Sequence, residues 1–303
     1  MTALRHDRTF DPAHGTAVTL SDAVRRITVD NPGPFTFHGT NTYLVGRDEV
    51  AVIDPGPLDR NHARLILETA GKAPISAIVV SHTHMDHSPC ARLLREMTGA
   101  PIVGCAPHRA ARALAGGEVN PLDASGDREH RADREMADGD SLTVDGLTLS
   151  AVETPGHTAN HLAFALDEGD VLFSADHVMA WSTSIVAPPD GSMRQYMTSL
   201  DRLMALDHAL YLPGHGGPVM EPAPYLEALK AHRKARERAL LDQLAKGPAS
   251  IREMVATIYR DVDPALHGAA ALSMLAQAEW LVERGLILAG DTVPDPATRL
   301  RLA

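Results

Sequence analysis

ISAIVVSHTHMDHSP, residues 75–89, sets an apolar run directly against a stretch in which three histidines and an aspartate fall within six positions. The run Ile75–Val80 is rich in β-branched residues and short, which predicts a strand buried on both faces. Ser88 then reads as a helix N-cap, with Pro89 at the first helical position and Gly99 as the stop. His82, His84, Asp86 and His87 therefore occupy a loop between a strand exit and a helix start. A loop so held can turn successive side chains toward one point. Imidazoles with carboxylates are the donors zinc prefers where thiolates are absent. Histidines scattered on a surface would not show this density.

The same arrangement recurs three times downstream. His157 lies in TPGHTANH after a strand ending at Val152, Asp176 in VLFSADHV, and His215 in LYLPGHGG. Each follows an apolar run and precedes a turn. Singly each is weak, since a histidine beside glycine in a turn is more often structural. Together they repeat one pattern of strand, donor and turn.

The first two-thirds of the chain alternate strand and helix patterns. Further strands are expected at 43–45, 50–53, 102–103, 141–144, 147–152, 171–173 and 210–212. Asp145-Gly146 between two apolar runs is a hairpin signal. DRNHARLILETAGK, residues 59–72, reads as a helix capped at Gly71. Residues 116–139 are polar and rich in turn formers, which predicts a long surface loop, either a substrate lid or a solvated insertion.

From Pro222 the character changes. A long helix over 224–246 carries six Lys/Arg against three Asp/Glu and is broken by Gly247-Pro248. Ser250 to Glu253 forms a capping box. It opens a helix with Ile251, Met254, Val255, Ile258 and Tyr259 on one face. A second helix after Pro264 turns Met274, Leu275, Ala278, Leu281 and Val282 inward, and LILAGDTV, 286–293, reads as a strand. Helix, helix and strand in this order point to a small winged-helix module, so the chain divides into 1–222 and 223–303.

HxHxDH at 82–87, followed in order by His157, Asp176 and His215, resembles the motif series of the metallo-β-lactamase-fold hydrolases over roughly residues 20–220. The resemblance implies an α/β (α+β) fold, a four-layer αββα sandwich with a small C-terminal winged-helix-like domain. It implies two zinc ions per chain, one on His82, His84 and His157, the other on Asp86, His87 and His215, with Asp176 bridging. The implied chemistry is attack by a metal-bridging hydroxide oriented by Asp86, the expected catalytic residue. PGPFTFHGTNTYLVG at 32–46, Asp54 in VIDPGP, and RQYMTSLDRL at 194–203 are similar to a lactamase-like branch. That branch includes the animal mitochondrial endoribonuclease and also ends in a winged helix. By this likeness Asp54 braces the metal loop, unless it only forms its Asp-Pro-Gly turn. Tyr196 either donates to an oxyanion or packs on its helix, and His161 and His177 support the donors or are satisfied core histidines.

The bond cleaved is left open among ester, lactone, thioester and, as the alternative, single-stranded RNA. A net charge of −11 argues against a general nucleic-acid binder. Residues 247–303 hold five Lys/Arg and seven Asp/Glu, whereas a phosphate-gripping module should be basic. The basic run at Lys230, Arg233, Lys234, Arg236 and Arg238 reads as a solvated face rather than an RNA surface. A second alternative is a regulator that uses the winged helix and keeps zinc for structure, but seven donors for two metals leave open positions for water. Two cysteines, Cys90 and Cys105, make no disulfide framework. No leader-like or ~20-residue apolar stretch is present, so the expectation is a cytoplasmic enzyme with a small-molecule substrate, no membrane, and a possible homodimer.

Overall fold

The structure is a computed structural model that describes residues 4–167, 170–290 and 293–303. Among them, the first sheet runs in sequence order: β1 (Val18–Thr19), β2 (Val24–Thr28), β3 (Asn41–Val45), β4 (Val50–Ile53), β5 (Ile75–Val80), β6 (Ile102–Gly104) and β7 (Arg134–Glu135). Pairing is antiparallel from β1 to β4 and parallel from β4 to β7. The switch follows from the connections, because parallel neighbours need crossovers. Two of these carry α1 (Arg60–Ala70) and α2 (Cys90–Thr98). Asp59 caps α1 by accepting from the backbone N–H of Asn61 and His62, and Gly71 at φ 66° ends it. Gly99 ends α2 in the left-handed region, as the sequence predicts.

The second sheet has the order β12-β11-β10-β9-β8, from β8 (Ser141–Val144), β9 (Leu147–Glu153), β10 (Leu162–Leu166) and β11 (Val171–Ala175) to β12 (Leu210–Pro213). The helix α3 (Met193–Leu206) connects the last two, which pair in parallel. Asp145 and Gly146 turn the β8–β9 hairpin at φ 50° and 77°, the two positive values of a type I′ turn. Strand period sorts the side chains into layers. Leu162, Phe164 and Leu166 of β10 enter the core between the sheets. Ala163 and Ala165 face α3 and the start of α4 (Pro222–Leu244) in a second core. Helices thus cover both outer faces, and the four-layer αββα sandwich is the observed architecture.

The C-terminal part comprises α5 (Ile251–Ile258), α6 (His267–Glu283) and the hairpin of β13 (Ile287–Leu288) with β14 (Arg301–Leu302). Its own core gathers Ile251, Met254, Ile258, Leu281 and Leu300 around Leu240 and Leu244 of α4. The capping box at Ser250 and Glu253 is formed in full, a motif whose cap contributes about 1 kcal/mol. The division expected at 222/223 falls at the start of α4, whose Leu226 and Leu229 pack on the second sheet's core and whose far end packs in the small one. In the expected strand 286–293, Ile287–Leu288 is strand, while Asp291 and Thr292 lie outside the described residues.

Several expectations are corrected. Ser88 does not cap α2, which begins after Pro89 with no side-chain cap; its hydroxyl donates instead to Asp127 at 2.7 Å. The loop over 116–139 is not a solvated insertion, since Asp127, His130 and Met136 are buried and it contributes β7 to the sheet. The basic helix is not simply a solvated face. Arg233 is buried, donating to the Ser184 carbonyl with its guanidinium 4.9 Å from the Tyr196 ring centroid. Arg236 bonds the Ile258 carbonyl and covers Tyr259, and Lys230 pairs with Asp201. The expected strands omit β1, β2, β7, β10 and β14.

Candidate metal centre

All seven predicted donors converge at the ends of the two sheets. The ligand atoms of His82, His84, His157 and Asp176 lie within 4.8 Å of one another, as do those of Asp86, His87 and His215. His84 Nδ1 is 3.1 Å from His82 Nε2 and 2.9 Å from His157 Nε2. His215 Nε2 is 3.3 Å from His87 Nε2 and 3.2 Å from Asp86 Oδ2. Asp176 stands between the groups, with Oδ1 3.4 Å from both His87 Nε2 and His215 Nε2 and Oδ2 3.6 Å from His157 Nε2. The close approach of the last loop depends on Gly214, where a Cβ would come within 2.5 Å of Asp176 Oδ1.

In four of the five imidazoles the hydrogen bond of the outer nitrogen fixes which nitrogen faces inward. His87 Nδ1 donates to Asp54 Oδ2 at 3.0 Å, His157 Nδ1 to the Ile185 carbonyl at 2.6 Å, and His215 Nδ1 to the Gly39 carbonyl at 3.2 Å. Ser81 Oγ donates to Asp54 Oδ2 at 2.6 Å, so His82 Nδ1, 3.0 Å away, donates to Ser81. Each then presents an Nε2 lone pair to the interior, the usual arrangement for metal-binding histidine. Converging lone pairs cannot satisfy one another. Asp176 Oδ1 is likewise buried without a hydrogen-bond partner among the described residues. The donor set fits a divalent cation.

The electrostatics say the same. Burial, aided by neighbouring His87 and His84, holds His82 well below the usual imidazole range, and burial with His157 pushes His84 down to about 3. Burial also acts on His215, but Asp176 and Asp86 outweigh it and raise the group to about 9. His87 is raised well above its usual range by the same carboxylates against the same burial. The Asp86–Asp176 side of the centre therefore demands positive charge.

Asp54, His82 and His87 also form a close group. Asp54 is a brace rather than a donor, because its oxygens are taken by Ser81 N at 2.8 Å, Ser81 Oγ and His87 Nδ1. It sits at φ 49°, a conformation asparagine tolerates. Asp54→Asn would turn an amide N–H toward at least one of the donors its carboxylate now accepts. The expected result is a metal affinity about 10–100-fold weaker, read by competition with a chromophoric chelator; an unchanged affinity removes Asp54 from this role.

Other support was missed in the sequence. Thr83 Oγ1, inside the metal loop, accepts from Asn160 Nδ2 at 2.9 Å and lies 3.0 Å from His108 Nδ1. Asp127 N donates to the Thr83 carbonyl at 2.7 Å. Asn160 falls within TPGHTANH and could have been suspected; His108 and Asp127 sit in an irregular loop with no periodic signal. His161 Nε2 accepts from Asp176 N at 3.3 Å and so holds that donor's backbone. His177 is a buried core residue whose ring lies 4.5 Å from that of Tyr196. Tyr196 is fully buried and donates to the His177 carbonyl at 3.2 Å, so it braces the backbone beside Asp176 and does not face the cleft.

The centre opens into a cleft of 420 Å³. Its floor is His84, Asp86, His157 and Asp176, and its walls are Phe35, Met85, Leu122, Met179 and Ile185 with Ala269 and Leu272 of α6. The winged helix thus forms one wall of the cleft, far in sequence from the metal loop. Among the described residues no helix is long and apolar enough to cross a membrane.

Comparison with known proteins agrees with this geometry. Residues 35–215 match the metallo-beta-lactamase superfamily model, and residues 250–292 match that of the beta-lactamase associated winged helix domain. The chain is 30% identical over 276 residues to a beta-lactamase-like protein 2 homolog of Caenorhabditis elegans, covering 88% of this chain and 87% of that one. It is 28% identical over 257 residues to an atrochrysone carboxyl ACP thioesterase of Aspergillus novofumigatus, covering 80% and 72%. A metallo-beta-lactamase family protein of Thermus thermophilus superposes with a TM-score of 0.75 at 26% identity, covering 94% of this chain and all of that one. With motif order, donor geometry and both family matches in agreement, the chain belongs to the metallo-β-lactamase superfamily of hydrolases and carries that family's associated winged helix.

Proposed function

We propose that the protein hydrolyses thioesters of uncharged, apolar acyl groups at a centre of two zinc ions. The observation that carries this reading is the cleft itself: metal donors on its floor, aliphatic and aromatic walls, and no Lys or Arg among its described lining residues. Such walls suit an acyl chain or ring and give a phosphodiester nothing to neutralise its charge. Relatives named as thioesterases support the choice of bond.

His82, His84 and His157 would hold one zinc, Asp86, His87 and His215 the other, with one Asp176 oxygen toward each. When bound, zinc supplies Lewis acidity and makes hydroxide available near neutral pH. The chain's own residues do the rest. Asp86 is more open to the cleft than Asp176 or His157, its side chain 27% exposed against 8–9% for those two. It orients the attacking water and accepts its proton at the carboxylate. Met179, Ile185 and Leu272 hold the acyl group and keep bulk water from it. Oxygen adds to the carbonyl carbon, the C–S bond breaks with its electron pair leaving on sulfur, the proton held by Asp86 passes to that sulfur, and acid and thiol are released.

The test is turnover by the zinc-loaded full-length protein of octanoyl thioesters, oxygen esters, lactones, a cephalosporin and single-stranded RNA. The expected result is kcat/KM at least about tenfold higher for the thioester than for the matched oxygen ester, equivalent to about 1.4 kcal/mol at the transition state. RNA cleavage with thioesters untouched overturns the reading.

A further inference from the structure

A second cavity, of 710 Å³, lies beside the cleft but touches none of the metal donors. Both are lined by Leu272, and their walls run from one into the other. The loop gives Pro121 to the second cavity and Leu122 to the cleft, the 185–188 segment gives Pro188 and Ile185, and α6 gives Leu275 and Ala269. The two spaces therefore lie end to end along α6, about one helical turn to either side of Leu272.

Their chemistry differs. Walls of the cleft are predominantly apolar, whereas the second cavity mixes aliphatic side chains and prolines with Gly116 and Gly117, which are exposed and carry no side chain over their main-chain N–H and C=O groups. Among the described residues it holds two carboxylates, Glu118 and Asp295, and no Lys, Arg or His. Glu118 is tied to Arg112, which also grips Glu279 of α6 at 2.6 Å and so fixes the loop against that helix. A phosphate or carboxylate entering this space would meet like charge and no cation. An uncharged chain with its own amides could instead pair with the exposed main chain.

We propose that the second cavity receives the thiol side of the substrate, a linear, uncharged arm of amide units of the pantetheine type, with the acyl group in the cleft and Leu272 as the sill between them. The inference rests on the thioester reading above. Winged helix and loop would then select the leaving group, while the metal loop selects the bond.

The experiment holds the acyl group at octanoyl and varies the thiol through N-acetylcysteamine, pantetheine, coenzyme A and glutathione, with 4-nitrophenyl octanoate alongside. For the zinc-loaded full-length protein, kcat/KM for the pantetheine ester is expected to exceed that for the N-acetylcysteamine ester at least tenfold, mainly through KM. Coenzyme A should add nothing beyond pantetheine, and glutathione with its two carboxylates should fall below it. Leu272→Trp, which fills the sill, should bring the pantetheine to N-acetylcysteamine ratio close to one. Gly116→Trp should do the same from the far wall, where an added Cβ meets nothing within 4 Å and the fold has room for it. Equal turnover of all thiol esters by the native protein, or an unchanged ratio in both variants, overturns the inference and leaves the thioester reading standing. Turnover of the nitrophenyl ester with no thioester cleaved overturns both.

Discussion

Asp86→Ala is expected to lower kcat/KM by about 1,000-fold while the protein keeps its fold. Asp86 Oδ2 lies 3.2 Å from His215 Nε2 and 3.5 Å from His87 Nε2, and the side chain is partly open to the cleft. It therefore combines the donor position with a wider opening to the cleft than Asp176 on the same floor. Nothing in the sandwich core rests on it, so circular dichroism and thermal midpoint in the presence of zinc should change little. Asp86→Asn keeps the shape and loses the proton acceptor, and should be nearly as impaired. Activity of the alanine variant within tenfold of the native value would move the proton-accepting role elsewhere.

Stripping the metal is the second large effect. Converging lone pairs on His82, His87, His157 and His215, with the unpartnered Asp176 oxygen, are stabilised by a cation that binds the folded state and not the unfolded chain. At a free metal concentration a thousandfold above Kd this contributes about 4 kcal/mol. A large domain converts that into a fall in thermal midpoint on the order of 10 °C on chelation. Scanning calorimetry before and after dialysis against a chelator measures it, and elemental analysis of the reloaded protein should give two zinc per chain. One metal with full activity would reassign Asp86, His87 and His215. An unchanged midpoint and activity after chelation would remove the metal from function altogether.

The convergence of the seven candidate donors was readable because the signal is local: each sits where an apolar run ends, and strand and turn signals lie within a few residues. The sandwich was readable for the same reason, apart from β2, β10 and the two-residue edge strands β1 and β7. In β2 the arginines of VRRIT disguise the strand, since Arg25 donates to the Thr69 and Gly46 carbonyls and Arg26 covers the Phe10 ring. In β10 two alanines weaken the apolar alternation they in fact obey, one face toward each core. Ser88 looked like a cap, but a long-range partner, Asp127, offered its hydroxyl a charged acceptor. The cleft was not readable. Phe35, Leu122, Ile185 and Leu272 come from four distant segments, and no local pattern records that they meet.

The last donor carries a consequence for biosynthesis. His215 is positioned by β3 and the residue before it: Asn41 Nδ2 donates to the carbonyls of Pro213 and Gly216, Tyr43 Oη donates to that of Pro213, and Thr40 bridges to His215 itself. These contacts span more than 170 residues except the shortest, Tyr43 to Pro213, which spans 170. A ribosome adding 5–20 residues per second needs on the order of ten seconds to travel from His82 to His215. Throughout that interval the nascent chain displays the HxHxDH loop without the strand that completes its pocket. The centre therefore closes only after residue 216 has left the exit tunnel, and a metal bound by both groups of donors would be loaded late, after the two sheets have joined.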